Sequence, residues 1–512
     1  MCKFSHLLCL SAMLLCAGVP AAFAKGDTLT IATAASSKTL DPIATPDSFT
    51  HNIMNQLYEC LVGFNNKGEI IPLLAEKWDV SPDGKTFTFH LRKGVKFHNG
   101  EELKADDVVF TFQRATGPDG GPIRAFSNFI DPAGLKKIDD YTVVVTTRIP
   151  MPSTFLQTLA HTWSAPVSKK AVEKYGKDYG MNPVGAGRFK AVEVLPGDKV
   201  VFERFDDYYG EKAKVKNLII RTIVEASTRT IELESGAVDL IIDAAATDVS
   251  RIESNPALKI IKVPSCRVNM LGFEVNKPPY NDVRVRQAMN LAVDREGIVK
   301  VVYRGFAEPA AGPISSAIKY NKQNSTPYVK TDIAKAKALL EEAGYPNGFK
   351  GEILAPDRTE MIRVATVLQE NFAKIGLQME VKVIEWGVFM DIQRLKDHEP
   401  FVNNWWGGPP AMDAFFLMTP AFHSKAGHTN RYLYNNPEVD ALLDKGASMV
   451  DGPEREAVYS KLWDILNIEL PYISVVTPFN LFGAVKELEG IIYRAGSVQN
   501  FTTAYFSDSA AK

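Results

Sequence analysis

The stretch Pro72-Leu73-Leu74-Ala75-Glu76-Lys77-Trp78, followed after Ser81-Pro82-Asp83-Gly84-Lys85 by Thr86-Phe87-Thr88-Phe89-His90-Leu91-Arg92-Lys93-Gly94-Val95-Lys96-Phe97-His98-Asn99-Gly100, decides how the chain is read. From Thr86 to Leu91 polar and apolar side chains alternate, which is the period of a strand with one buried face, and the Pro82-Asp83-Gly84 turn precedes it. A hairpin arm is therefore predicted here. Toward the N-terminus, Thr28-Leu29-Thr30-Ile31-Ala32 reads as a strand. Toward the C-terminus, so do the β-branched run Tyr141 to Thr147 and Asp198-Lys199-Val200-Val201-Phe202 beyond the Pro196-Gly197 turn.

Helical periodicity takes over between the later strands. Asp282 is placed to cap a helix with Val285, Ala288, Met289, Ala292 and Val293 on one face. A second helix is predicted from Thr331 through Ala343, stopping at Gly344 with Pro346 beyond. A third carries Ile362, Ala365, Leu368, Phe372 and Ile375 on one side and stops at Gly376. Met379, Val381 and Val383 then alternate with charged residues in a strand ending at Glu385-Trp386, and a similar strand, Phe401 to Trp406, ends in the Gly407-Gly408-Pro409-Pro410 loop. This alternation along the whole chain predicts mixed α/β lobes.

The 512 residues are 46% hydrophobic and 23% charged, a globular composition that excludes disorder, collagen and coiled coil. Single cores stop growing at roughly 250 to 300 residues, so two lobes are expected. The net charge of −2 supplies no broad field for nucleic acid or an anionic membrane. Lys3, the apolar run Leu7 to Gly18 and Ala22-Phe23-Ala24 form an export signal, with cleavage expected after Ala24. The run is too short to span a bilayer, and Leu8 and Leu15 before Cys9 and Cys16 speak against a lipid anchor. Cys60 and Cys266 remain in the mature chain; a bridge between them and two buried free thiols are both open.

The Pro72 to Gly100 stretch resembles the signature of the peptide/nickel group (dipeptide- and oligopeptide-binding, family 5) of ABC-transporter solute-binding proteins. Further matches follow in order: Ala105-Asp106-Asp107-Val108-Val109-Phe110, Asn182-Pro183-Val184-Gly185-Ala186-Gly187, Asp282-Val283-Arg284-Val285-Arg286-Gln287-Ala288, Glu342-Ala343-Gly344-Tyr345-Pro346 and Asn436-Pro437-Glu438-Val439-Asp440. The resemblance implies a two-lobed periplasmic binding protein of type II fold with an inserted subdomain in the first lobe. Residues 1–24 are the signal peptide, 25–267 lobe I with the insertion at about 50–165, 268–485 lobe II, and 486–512 a return to lobe I. It implies a periplasmic, monomeric receptor that closes on a short peptide or peptide-like solute and delivers it to ABC permease subunits. No enzyme activity, cofactor or nucleic-acid partner is expected. A non-peptide solute (glutathione, an opine, an oligosaccharide or a nickel chelate) and, in another class, a periplasmic hydrolase are the alternatives.

Ligands of α/β sheets sit beyond the strand ends, which places Trp386 and Trp405 well for binding, although tryptophans also fill cores. In dipeptide- and oligopeptide-binding relatives, tryptophans matching these two line the pocket. The relatives place an amine-holding Asp three residues after the Trp that Trp405 matches, where this chain has Gly408. Asp413 is the nearest acid downstream, with a helix N-cap as its alternative role. Arg358 lies in the loop where dipeptide-binding relatives have a carboxylate-holding Arg, out of register with it, and Arg363 lies one turn further in; a solvated charge is the alternative for each. His423 and His428 lack the carboxylates or cysteines of a metal site, so no metal is expected.

Overall fold

The computed structural model describes residues 26–65, 68–123, 127–322, 330–393, 398–405, 413–496 and 499–507. The signal segment with its cleavage point, Trp406 and the loop containing Gly408 lie outside these residues. The two lobes share one hydrogen-bonded path of strands. In lobe I, Thr28–Thr33 lies parallel between Asn217–Thr222 and Leu240–Ile242, and Lys199–Arg204 and Phe189–Leu195 extend the antiparallel edge. In lobe II, Lys350–Pro356 lies parallel between Gln378–Ile384 and Phe401–Trp405, which in turn pairs with Val268–Gly272.

The strand Tyr472–Val485 joins the halves. Its first residues pair with Val268–Gly272 and its last with Leu240–Ile242 and Leu258–Pro264. Ile473, Val475, Val476, Phe482 and Ala484 are all buried, which is why its sequence is a nearly continuous apolar run, as in strands covered on both faces. The chain returns through Leu258–Pro264 and Val268–Gly272, so hydrogen-bonded strands connect the lobes.

The hairpin arm forms as read: Ala75–Val80 pairs with Thr86–Leu91 in a separate four-stranded antiparallel sheet with Thr142–Thr146 and Lys136–Asp139. Phe87, Phe89 and Leu91 face its core, where Phe87 meets Phe155 at 4.8 Å, while Thr86, Thr88 and His90 are half-buried. The helix Ala105–Thr116 lays Val108, Phe112 and Ala115 on this subdomain. The Gly185-Ala186-Gly187 motif has a packing cause: a Cβ on Gly185 would stand 2.3 Å from the Leu57 carbonyl oxygen, and one on Gly187 2.6 Å from it. The Gly187 N–H donates to that oxygen at 3.0 Å, so only residues without a side chain can lie on this backbone.

Local signals were mostly placed well. Asp282 caps Val283–Ala292 by accepting from the Arg284 N–H at 2.8 Å, and Gly344 and Gly376 take φ of +90° and +89° where the next two helices stop. The helix expected from Thr331 begins at Ile333 instead, because Asp332 caps it and the Thr331 hydroxyl donates to the Val293 carbonyl. Trp386 does not close a strand: Glu385 caps a new helix, Trp386–Ile392, in which Trp386 is the first residue. Cys60 and Cys266 are buried free thiols, so the bridge left open above is not formed. Burial raises both thiols, Cys266 to about 12.

Candidate functional site

The register of two parallel strands builds the site. Pro356 pairs with Ile384 at the carboxyl ends of Lys350–Pro356 and Gln378–Ile384. Arg358 and Trp386 each stand two residues further on, so the pairing delivers them to the same place. The Arg358 guanidinium lies 3.9 Å from the centre of the Trp386 ring. Such a contact is worth about 0.5 to 1 kcal/mol when exposed and more when desolvated. Arg358 is exposed at the N-cap position of the helix Thr359–Ala373, and its side chain makes no cap bond. Its planar fork of donors has the geometry that suits a carboxylate. Trp386 is half-buried and stacks on Phe389 at 6.0 Å, which fixes the ring that Arg358 covers.

Trp405 ends the neighbouring strand, its backbone opposite Val268, which places it at the same sheet edge. Arg363 is not gathered there; it is exposed on the helix, five residues beyond Arg358 and so about 140° around the axis. Asp413 is fully buried and caps Ala414–Phe422 through the Phe415 N–H at 2.8 Å. Its carboxylate also takes two hydrogen bonds from the buried Arg455 guanidinium, at 2.7 and 3.1 Å. Both oxygens are thus occupied by this chain, which answers the choice between a solute amine and a cap with the cap. The correction has a clear cause: Arg455 lies 42 positions away and no local signal announces it. His423 accepts from the Lys425 N–H and faces Asp440 and Asp444 at 3.7 and 3.4 Å, and among the described residues no group of three or more His, Cys, Asp or Glu can hold a metal.

Sequence reasoning missed a second polar group near Arg358. Glu360, in the first turn of the same helix, accepts from the Tyr303 hydroxyl and from the Asn269 amide nitrogen, and Asn269 also donates to Tyr303. Asn269 is completely buried, and its Oδ1 has no hydrogen-bond partner. Burial and the neighbouring Glu360 raise the Tyr303 hydroxyl far above its ordinary range. The group is rich in acceptors and short of donors, which is what an ammonium or amide N–H needs. Its members stand 57 and 91 positions from Glu360, so spacing could not have revealed it.

A two-lobed α/β chain with an inserted subdomain has the architecture of the type II periplasmic solute receptors. The chain belongs to the bacterial extracellular solute-binding proteins, family 5, whose middle region matches residues 69–425. It is 29% identical over 483 residues to the glutathione-binding protein of Pectobacterium atrosepticum, covering 93% of each chain. It is 31% identical over 478 residues to the dipeptide-binding protein of Escherichia coli, covering 88% of each. The solved periplasmic binding protein DppA from Helicobacter pylori, in complex with the peptide STSA, superposes with a TM-score of 0.79 at 29% identity, covering 94% of this chain and 98% of that one. Among the described residues no helix is long and apolar enough to cross a membrane.

Proposed function

We propose that the chain is an exported receptor, cleaved after Ala24, that captures a short peptide or peptide-like solute between its lobes in the periplasm. It delivers the solute as a monomer to the permease of an ABC importer, with lobe I formed by residues 25–267 and 486–512 and lobe II by 268–485. The observation that carries this reading is the Arg358 guanidinium stacked on Trp386 at the strand ends. It offers a bidentate donor for a carboxylate beside an aromatic face for the solute's apolar part. Glutathione, dipeptides and the peptide STSA, the ligands named for the relatives, all carry a carboxylate, so one cation suits them all. Trp405, whose backbone ends the neighbouring strand, is the second tryptophan assigned to this edge; its side chain lies outside the described part of the structure. Arg363 serves as a peripheral charge that attracts the anionic end. With Asp413 committed to Arg455, the solute's ammonium is taken by the exposed carboxylate of Glu360, which Tyr303 and Asn269 hold from behind.

Gly408 in place of an acid favours a second reading, a ligand without a free α-amine in the usual position. Native mass spectrometry of solute retained through gentle purification, followed by calorimetry with the identified compound, tests both. A peptide or glutathione-like mass with tight binding is expected, together with a more compact scattering profile and a raised Tm, since a ligand of the folded cleft stabilises by mass action. Hydrolysis of the bound compound would overturn the receptor reading.

A further inference from the structure

Lobe I contains a cavity of about 750 Å³ between the hairpin Val62–Phe64/Ile70–Pro72 and the returning C-terminal segment. Its volume falls within the roughly 300 to 1,000 Å³ of small-molecule sites. None of the residues of the Trp386 site lines it. Its apolar walls include Phe64, Ile71, Leu73 and Tyr493, and two arginines, Arg188 and Arg494, stand among them.

The two cations are not equivalent. Arg188 is engaged: it donates to the Glu211 carbonyl and to the Thr502 hydroxyl, both at 2.8 Å, and lies over the Tyr208 ring at 5.0 Å. Glu59, the acid on the wall, accepts from the Tyr208 hydroxyl at 2.5 Å, and burial lifts its carboxyl above the usual range despite that bond and the nearby Arg188. Arg494 has no such company. It is half-buried, gives one hydrogen bond to the Phe64 carbonyl at 3.1 Å, and has the Phe64 ring at 5.9 Å. No described carboxylate pairs with it, and burial lowers its affinity for its proton with nothing opposing. A guanidinium partly withdrawn from water without an anion is costly, and among the described residues only the Phe64 carbonyl takes one of its five N–H donors.

We infer that this cavity is a second binding site, in which Arg494 holds the carboxylate of a small molecule whose apolar or aromatic body lies against Phe64, Leu73 and Tyr493. The site belongs to lobe I alone, so it stands or falls independently of the function proposed above. N-dansyl-L-phenylalanine, an aromatic carboxylate, and its uncharged methyl ester are suitable fluorescent probes. The wild type is expected to bind the acid at least about tenfold more tightly than the ester, as a charge-assisted fork requires. Arg494→Gln should abolish that preference and Ile71→Trp, which fills the cavity, should abolish binding of both probes, whereas Trp386→Ala should leave the preference intact. Circular dichroism and unchanged unfolding midpoints identify variants that fold. Lack of saturable binding to the wild type, a preserved preference in a folded Arg494→Gln, or a loss confined to Trp386→Ala would overturn the assignment.

Discussion

Replacing Asp413 by Asn separates its structural role from any role in binding. Asn is as good an N-cap as Asp, so the bond to the Phe415 N–H survives and only the charge opposite Arg455 is lost. Both side chains of that pair are 0% exposed, and removing one partner of a buried pair costs about 3 to 5 kcal/mol because the other charge is stranded. Arg455 retains Asp451 at 2.7 Å, a partner 31% exposed, and the Thr154 hydroxyl at 2.6 Å across the seam with the inserted subdomain. The expected cost is therefore at the lower end, about 3 kcal/mol. Unfolding entropy near 2 cal/mol/K per residue gives about 1 kcal/mol/K for a chain of this length, so Tm should fall only about 3 °C. Urea unfolding followed by tryptophan fluorescence is the more sensitive assay. A double-mutant cycle with Arg455→Met should return a coupling of about 2 kcal/mol or more. Unchanged stability in Asp413→Asn, with affinity lost only for ligands bearing a free ammonium, would refute a structural role for the charge opposite Arg455 and return Asp413 to the binding site.

Three further outcomes follow from the same geometry. Trp386→Ala should remove about 1 to 3 kcal/mol of solute binding, near ten- to hundredfold in affinity, and Arg358→Lys should also weaken it because an ammonium cannot reproduce the fork; calorimetry with the identified solute checks both. His51 is 1% exposed, its Nε2 pairs with the Thr45 carbonyl at 2.9 Å, and burial, outweighing that bond and Asp47, lowers its pKa from 6.5 to about 4. The unfolded chain therefore binds the extra proton first, and stability should fall by about 1.4 kcal/mol per unit as pH drops through that interval. His161, 4.3 Å away and lowered by burial and by His51, steepens the loss; a urea midpoint independent of pH in this range would contradict the reading. Gly185→Ala should destabilise by about 1 to 3 kcal/mol, since its methyl meets main-chain atoms that cannot move aside, and an unchanged midpoint would show that the Leu57 segment yields.

What the sequence determined by itself is whatever depends on neighbours a few positions away. Alternation marked Thr86–Leu91, helical periodicity with the Asp282 cap marked Val283–Ala292 and with the Gly376 stop marked Thr359–Ala373, and the resemblance in the Pro72 to Gly100 stretch supplied the architecture that the shared sheet displays. The candidate site was legible as far as strand ends could be located, which brought out Trp386 and Arg358 individually. Their contact was not legible, because it arises from the parallel register of Pro356 on Ile384. Only tertiary structure decided that Asp413 serves Arg455 and that Glu360 meets Tyr303 and Asn269, since both groups assemble from residues tens of positions apart. Hydrogen bonds and ion pairs inside a core are fixed by which elements pack together, and the energy that selects them is absent from any local window of sequence.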